Sequence, residues 1–274
     1  MDRVISKDGT SIAFERQGSG PAVILVGGGL VDRSENAPLA SELARTFTTY
    51  NYDRRGRSES GDTQPYAVER EIEDIEALIA EAGGSAHLYG ASSGGALVLE
   101  AAAAGVSADR LATYEVPYQT DDEFEKAWRA YVDELNATLA AGHRSEAVEL
   151  FMRMVGTSDE IIEGAKASEQ WAGAEALAHT LAYDAACIGD GPPPTERLAS
   201  ITQPTLVATG DVAPDPNYMG EVPLDFFGRA ADEIVAAVPN AERLTLEGQW
   251  HMVDAKVLAP VLERFFTARA GVGR

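Results

Sequence analysis

The segment AHLYGASSGG, residues 86–95, is the part of the chain from which the architecture follows. Its first four residues form a run of strand length, and residues 94–104 are apolar nearly all round, as in a buried helix. Between them, Gly90 to Gly94 match the G-x-S-x-G pattern, in which a sharp turn joins a strand to a helix and exposes the central serine. The pattern predicts that Ser92 is a nucleophile. A Gly- and Ser-rich turn without chemistry is the alternative interpretation.

Similar runs along the chain predict further strands, which are covered on both faces as in a parallel sheet. They are residues 22–26, 48–52, 110–114, 205–209 and 241–246, and residues 4–6 and 11–15 predict a hairpin. Between the strands, helices are predicted at residues 69–82, 94–104, 227–238 and 260–270. Strands that alternate with helices favour an α/β fold with a doubly wound, mostly parallel sheet.

The alternation stops between residues 118 and 197, where the pattern is helical throughout. Helices are predicted at residues 123–141, 145–155, 159–167 and 170–186, before the breaker GDGPPP at residues 189–194. We interpret residues 118–197 as a helical cap, inserted into a core that consists of residues 1–117 and 198–274.

Composition and charge exclude several classes of function. Among 274 residues, 44 are acidic and 22 are basic, so the formal net charge is -22. Such a chain lacks the basic surface that nucleic acid requires, and anionic membranes repel it. No apolar stretch has the length of a membrane span, and the polar start of the chain does not resemble a signal peptide. The single cysteine, Cys187, excludes an internal disulfide, so we expect a cytoplasmic protein.

Three motifs together resemble the α/β-hydrolase family over nearly the whole chain. Beside the elbow, residues 52–58 (YDRRGRS) are similar to the family's D-x-R-G-x-x-S loop, in which Arg54 has a structural role and Asp53 forms an ion pair or a cap. Residues 27–29 (GGG) occupy the place of a His-Gly-x oxyanion loop, with Gly27 in place of histidine. The resemblance implies that the backbone amides of Gly29 and Ser93 bind an oxyanion. A tight turn is compatible with the same glycines.

The resemblance also places the catalytic base. His251 follows the last predicted strand, where the family has its general base. His87 lies within a strand and His143 at a helix end, positions typical of a core residue and a solvated residue. His179, on a cap helix, is a candidate for helix packing or for lining a pocket.

Two positions compete for the acid of the triad. The position that many family members use holds Ala213, with Asp211 and Asp215 nearby at other offsets. Glu115 ends the strand after the nucleophile helix, which resembles the arrangement of haloalkane dehalogenases and of zearalenone-type lactone hydrolases. Because the carboxyl ends of parallel strands face one crevice, Glu115 could accept a hydrogen bond from the imidazole Nδ1–H. We therefore predict Glu115, with Asp211 and Asp215 as alternatives.

Aromatic and methionine side chains of the cap predict a hydrophobic pocket. We expect substrate contacts from Trp128, Tyr183 and Met154, although packing is the alternative role at helical spacing. Further candidates are Tyr131, Phe151, Met152 and Trp171 of the cap and Met219, Phe226 and Phe227 in the segment after Asp211.

The expected function is a serine hydrolase that cleaves an ester or lactone of a small hydrophobic molecule through Ser92, His251 and Glu115. No metal or cofactor is expected, because the glycine runs lack the G-x-G-x-x-G and P-loop spacings. A cofactor-free lyase, cyclase or peroxidase and a non-catalytic small-molecule receptor are the alternative hypotheses. The oligomeric state is open, with a homodimer as one candidate.

Overall fold

The computed structural model describes residues 1–215, 219–220 and 222–268. Its strands are β1 (Asp2–Ile5), β2 (Ser11–Gly18), β3 (Ala22–Val26), β4 (Thr48–Tyr52), β5 (Ala86–Ala91), β6 (Ala108–Tyr114), β7 (Thr205–Gly210) and β8 (Ala241–Leu246). These described strands form one eight-stranded sheet in the order β1-β2-β4-β3-β5-β6-β7-β8. The pairs β1–β2 and β2–β4 are antiparallel, and the other neighbouring pairs are parallel. The predicted fold class and the predicted hairpin are thereby confirmed, and the hairpin lies at one edge of the sheet.

Helices occupy the connections between the strands. They are α1 (Ala37–Leu43), α2 (Val68–Glu81), α3 (Ser93–Ala103), α4 (Asp122–Ala140), α5 (Arg144–Met154), α6 (Asp159–Lys166), α7 (Trp171–Leu177), α8 (Leu181–Ile188), α9 (Thr195–Leu198), α10 (Phe226–Ala237) and α11 (Ala255–Thr267). None of the described helices combines the length and the apolar character that crossing a membrane requires.

The helices cover both faces of the sheet. Side chains of a strand alternate between the faces, so neighbouring apolar residues belong to different packing clusters. In β3, Val23 and Leu25 pack with α1 and α11, whereas Ile24 and Val26 pack with α2, α3 and α10. All four are fully buried. A strand that is buried on both faces must be apolar at every position, which is why these runs do not alternate with polar residues.

Six of the described helices, α4 to α9, lie in sequence between β6 and β7. Their apolar side chains join the larger core cluster through residues such as Trp128, Leu135 and Leu181. The division into a core and a cap stays a prediction.

Two of the predicted helices differ from the structure by more than a residue or two, and two short helices were not predicted. Residues 170–186 form two helices, α7 and α8, which are separated by a 3-10 turn at Ala178–Thr180. Helix α11 begins at Ala255 instead of Pro260, because the Asp254 side chain caps it by accepting from the Lys256 N–H at 2.8 Å. Residues 269–270 of that predicted helix lie outside the described residues. The short helices α1 and α9 were not predicted.

Candidate active site

Ser92 lies at the turn between β5 and α3, on strained backbone. Its φ of 54° and ψ of -129° fall in a region that residues with a Cβ rarely adopt. The flanking glycines make this turn possible. A Cβ added to Gly90 would lie 2.3 Å from the Gly94 carbonyl oxygen, and a Cβ added to Gly94 would lie 2.5 Å from the Gly27 oxygen. The elbow therefore holds Ser92 at the carboxyl end of β5, beside the glycine run that follows β3.

Glu115 and His251 form a hydrogen-bonded pair at the same edge of the sheet. The Glu115 Oε2 atom lies 2.8 Å from the His251 Nδ1 atom. A carboxylate only accepts hydrogen bonds, so the proton lies on Nδ1, and Nε2 can accept a proton. The Oε1 atom of Glu115 accepts from the Gly210 N–H at 2.9 Å. Buried and bonded through both oxygens, Glu115 fixes the imidazole relative to β7.

The loop that carries His251 lies against the ends of β6 and β7. The Tyr114 hydroxyl donates to the Trp250 carbonyl at 2.7 Å. A Cβ added to Gly210 would meet the backbone of the loop at 2.1 Å, so the loop crosses closely over the end of β7. The imidazole stacks on Phe227, with ring centroids 4.9 Å apart and planes inclined by 13°. These contacts leave little freedom for the imidazole.

Asp211, the alternative acid, has a different partner. Its Oδ1 atom accepts from the Gly248 N–H at 2.7 Å, which stabilises the turn before His251. The carboxylate that binds Nδ1 of His251 is that of Glu115.

Two backbone amides near Ser92 have no acceptor within the described part of the chain. Ser93 is the first residue of α3, where an N–H has no partner inside the helix. The Gly29 N–H likewise donates to no described residue. The Gly28 N–H, in contrast, donates to the partly buried Glu35 carboxylate at 3.2 Å. A Cβ added to Gly28 would lie 3.2 Å from the Ser92 Cβ, so the glycine run is adjacent to the elbow.

The three predicted triad residues meet at one edge of the sheet without a complete chain of hydrogen bonds. The Ser92 N–H donates to the Tyr114 carbonyl at 2.9 Å, which links the elbow to the strand that Glu115 follows. Among the described residues, no hydrogen bond joins the Ser92 hydroxyl to His251. Catalytic hydrogen bonds are often long without substrate and tighten when it binds. The catalytic roles of these residues stay predictions.

A buried ion cluster lies beneath the glycine run. Arg54 binds Glu71 through two hydrogen bonds of 2.8 and 2.7 Å, and Arg54 and Arg57 contact Asp184 at 2.6 and 2.7 Å. Burial alone would raise the pKa of the Glu71 carboxyl, but Arg54 lowers it below the ordinary value. Asp184 was not among the predicted site residues. The Arg54–Arg57 run indicated that such a residue is needed, because buried arginines require carboxylate partners.

The three residues that were predicted to contact the substrate differ in burial and in hydrogen bonding. Trp128 is buried, and its Nε1 atom donates to a backbone carbonyl at 2.9 Å. Tyr183 is buried as well, and its hydroxyl donates to Asp62 at 2.8 Å. Met154 is 37% exposed. None of these contacts involves the Glu115–His251 pair. That the three residues contact the substrate stays a prediction.

Two phenylalanines lie closer to the predicted site. Phe227 stacks on the imidazole. The Phe151 Cζ atom would lie 3.8 Å from a Cβ added to Gly29, so this ring reaches the glycine run from α5. Together they give the site apolar walls.

The described residues support Ser92 better than Cys187 as a nucleophile, and they offer no cluster of metal ligands. Burial raises the pKa of the Cys187 thiol to about 12, so it is protonated at neutral pH and a poor nucleophile. In the part of the chain that the structure describes, no group of three or more His, Cys, Asp or Glu side chains is arranged to hold a metal ion.

Comparison with known proteins identifies the family. The model of the alpha/beta hydrolase family matches residues 22–261. This chain belongs to the alpha/beta hydrolase family. The crystal structure of an alpha/beta hydrolase from Sphaerobacter thermophilus DSM 20745 is similar, with 46% sequence identity and a TM-score of 0.83. The alignment covers 97% of this alpha/beta hydrolase and 100% of that chain. The predicted family resemblance is confirmed.

Other relatives are more distant. The uncharacterized hydrolase YraK of Bacillus subtilis (strain 168) is 29% identical over 157 residues, which cover 53% of this chain and 55% of YraK. The match therefore spans about half the length of that relative. The enol-lactonase from Burkholderia xenovorans LB400 is 19% identical, with a TM-score of 0.69 and coverage of 97% and 100%. At this identity, the likeness shows the fold alone.

Proposed function

We propose that this alpha/beta hydrolase is a serine hydrolase that cleaves a carboxylic ester or a lactone of a small hydrophobic molecule. The observation that carries the proposal is the 2.8 Å bond between Glu115 and His251 Nδ1, at the sheet edge where Ser92 lies on a strained elbow. This bond leaves Nε2 available as a base on the side of the imidazole away from Glu115.

The proposed reaction begins when Nε2 of His251 takes the proton of the Ser92 hydroxyl. The serine oxygen attacks the carbonyl carbon, and the carbonyl π electrons move to its oxygen, which becomes an oxyanion. The N–H groups of Gly29 and Ser93, which have no acceptor among the described residues, donate to this oxyanion. Glu115 stabilises the imidazolium through Nδ1–H.

The tetrahedral intermediate then collapses. The carbon–oxygen bond to the alcohol breaks, and His251 gives its proton to the leaving oxygen, which leaves an acyl group on Ser92. Water attacks this acyl-enzyme while His251 takes one of its protons. The bond between the acyl carbon and the Ser92 oxygen then breaks, and His251 gives the proton to that oxygen, so the carboxylic acid departs and Ser92 is restored. For a lactone, the alcohol and the acid are two ends of one product.

The apolar surroundings support the substrate class. Phe151 and Phe227 border the glycine run and the imidazole, and an apolar wall favours a hydrophobic acyl or alcohol group over a sugar or a peptide. The enol-lactonase of Burkholderia xenovorans has the same fold, which makes lactones a reasonable part of the first substrate panel.

Intact-mass analysis after incubation with a small fluorophosphonate tests the proposal. We expect one covalent adduct, and none in Ser92→Ala, which keeps the Cβ and lacks the hydroxyl. A panel of esters and lactones then identifies the preferred substrate. An unlabelled protein would contradict the acyl-enzyme mechanism and favour the lyase, cyclase, peroxidase or receptor hypotheses.

A further inference from the structure

Asp184 links helix α8 to Gly29 and Ser93, the two residues whose backbone amides bind the oxyanion in the proposed reaction. Its side chain is buried. The Oδ1 atom accepts from Arg57 Nη2 at 2.7 Å and from the Ser93 hydroxyl at 2.8 Å. Arg54 Nη1 donates to the same oxygen at 2.6 Å. One carboxylate oxygen thus gathers three donors from two different loops of the sheet.

Arg57 extends this contact to the glycine run. Its Nη1 atom donates to the carbonyl of Gly28 and, at 3.0 Å, to that of Val31. The Gly28 C=O and the Gly29 N–H belong to one planar trans peptide and point in opposite directions. By holding the Gly28 oxygen, Arg57 therefore fixes the direction of the Gly29 N–H.

Ser93 is held more directly. Its hydroxyl donates to Asp184, so the first residue of α3 is fixed relative to α8. The backbone N–H of the same residue is the second amide near Ser92 that has no acceptor in the described part of the chain. A shift of Asp184 would thus displace both amides together.

We propose that Asp184 is a positioning residue that fixes both oxyanion donors, Gly29 through Arg57 and Ser93 through its hydroxyl. The inference rests on the proposed hydrolase function and deepens it. Helix α8 therefore helps to set the geometry of the oxyanion site. A displacement of a few tenths of an ångström in this site weakens the hydrogen bonds to the developing negative charge.

Charge and geometry predict opposite effects for Asp184→Asn. The cluster of Arg54, Arg57, Glu71 and Asp184 carries two positive and two negative charges. Removing the Asp184 charge leaves a net positive cluster, which would attract a nearby oxyanion and raise kcat. The amide oxygen of the asparagine side chain accepts from the two arginines and from Ser93 more weakly than a carboxylate does, so the positioning loosens, and this would lower kcat. The sign of the change therefore separates the two effects.

The experiment compares Asp184→Asn and Ser93→Ala with Asp74→Asn. Asp74 is the matched control, because its buried pair with Arg55 has bonds of 2.8 and 2.7 Å, and these bonds do not involve the glycine run. Ser93→Ala changes no charge and removes only the hydroxyl, so it remains informative if Asp184→Asn folds poorly. The measurements are kcat and KM for 4-nitrophenyl acetate and ¹⁵N order parameters of the amides at positions 29 and 93.

Asp184→Asn and Ser93→Ala should each lower kcat about 10-fold or more, with KM within about threefold of the unmodified protein. In Asp184→Asn, the order parameters of both the Gly29 and the Ser93 amide should fall from about 0.85 to below about 0.6. In Ser93→Ala, the same fall is expected at the position 93 amide. Asp74→Asn should change neither quantity.

An unchanged or raised kcat in Asp184→Asn would overturn the proposal, and so would an equal loss in Asp74→Asn or unchanged order parameters. If the unmodified protein neither hydrolyses the ester nor reacts with the fluorophosphonate, the hydrolase function fails. The order parameters then still decide whether Asp184 fixes the two amides.

Discussion

Ser92 and Glu115 both lie on backbone with positive φ, 54° and 47°, although neither is glycine. Such conformations cost roughly 1–3 kcal/mol each. Backbone hydrogen bonds hold them in place, because the Ser92 N–H donates to the Tyr114 carbonyl at 2.9 Å and the Glu115 N–H to the Ala208 carbonyl at 3.0 Å. Strain thus occurs at two of the residues that the proposed reaction needs.

Replacing Ser92 by glycine should stabilise the protein although it removes the proposed nucleophile. Glycine adopts positive φ without steric cost, so we expect the free energy of unfolding to rise by about 1 kcal/mol relative to Ser92→Ala. The alanine variant is the appropriate reference, because it also lacks the hydroxyl and keeps the Cβ. Urea unfolding of both variants measures the difference. Equal stabilities would show that the strain at the elbow does not exceed the roughly 0.5–1 kcal/mol by which the freedom of glycine favours the unfolded chain.

The triad assignment predicts graded losses of activity. Ser92→Ala and His251→Ala should each lower kcat about 10³-fold or more. Glu115→Gln should lose less, because the amide oxygen can still accept from Nδ1–H but cannot stabilise the imidazolium as well. Asp211→Asn is the control, with the same charge change beside the same loop. A silent Glu115→Gln combined with an inactive Asp211→Asn would show that the acid is Asp211.

At the level of helices and strands, long regular patterns were predictable and short or interrupted elements were not. β3 and β8 have the predicted bounds. For β3 the reason is its apolar run between turn residues, which is typical of a buried strand. The break between α7 and α8 has no such signal. There, the Thr180 hydroxyl donates to the Leu177 carbonyl at 2.8 Å, inside a stretch whose apolar pattern continues. α1, with seven residues, is too short for its periodicity to be distinguished.

The contact between β5 and α11 contains a titratable group. His87 of β5 stacks on Phe266 of α11, with ring centroids 4.6 Å apart, and meets the edge of Phe47. Burial lowers the pKa of His87 below its ordinary value of 6.5. The unfolded chain therefore binds the proton more readily than the folded one. The contribution of His87 to stability is complete above pH 6.5 and is lost as the pH falls from there toward the folded pKa.

His87→Phe should keep the ring packing and remove this titration. We expect the decrease in Tm between about pH 7.5 and about pH 5.5 to be smaller than in the unmodified protein. His143→Gln, at an exposed position whose ion pair contributes little, should leave the decrease unchanged. Thermal unfolding followed by circular dichroism measures all three proteins. The same pH dependence in His87→Phe would contradict the role given to His87.

For the whole molecule, the net charge of -22 predicts a dependence on salt. Like charges repel one another most in the compact state, and salt shortens the Debye length from about 30 Å at 0.01 M to about 8 Å at 0.15 M. We expect this change to raise the stability by about 1 kcal/mol, or Tm by about 2–4 °C. Thermal unfolding in sodium chloride solutions measures the effect. A fall in Tm would show that attractive surface pairs outweigh the repulsion.

The predictability of the site depends on where each residue lies in the whole fold. Ser92, Glu115 and His251 follow strands, and strand ends converge in any parallel sheet, so their proximity could be expected from the sequence. Asp184 lies on a helix far along the chain, and its approach to the glycine run depends on how α8 packs. The Arg54–Arg57 run indicates that carboxylate partners are needed, but no local pattern identifies which residues supply them.

The structure of the protein after reaction with the fluorophosphonate tests the central claim most directly. The phosphonyl group mimics the tetrahedral intermediate, with its P=O oxygen at the place of the oxyanion. We expect phosphorus on the Ser92 Oγ, the P=O oxygen within about 3 Å of the Gly29 and Ser93 nitrogens, and the Glu115–His251 bond unchanged. A phosphonyl group on another residue, or a P=O oxygen bound by other donors, would contradict the proposed mechanism.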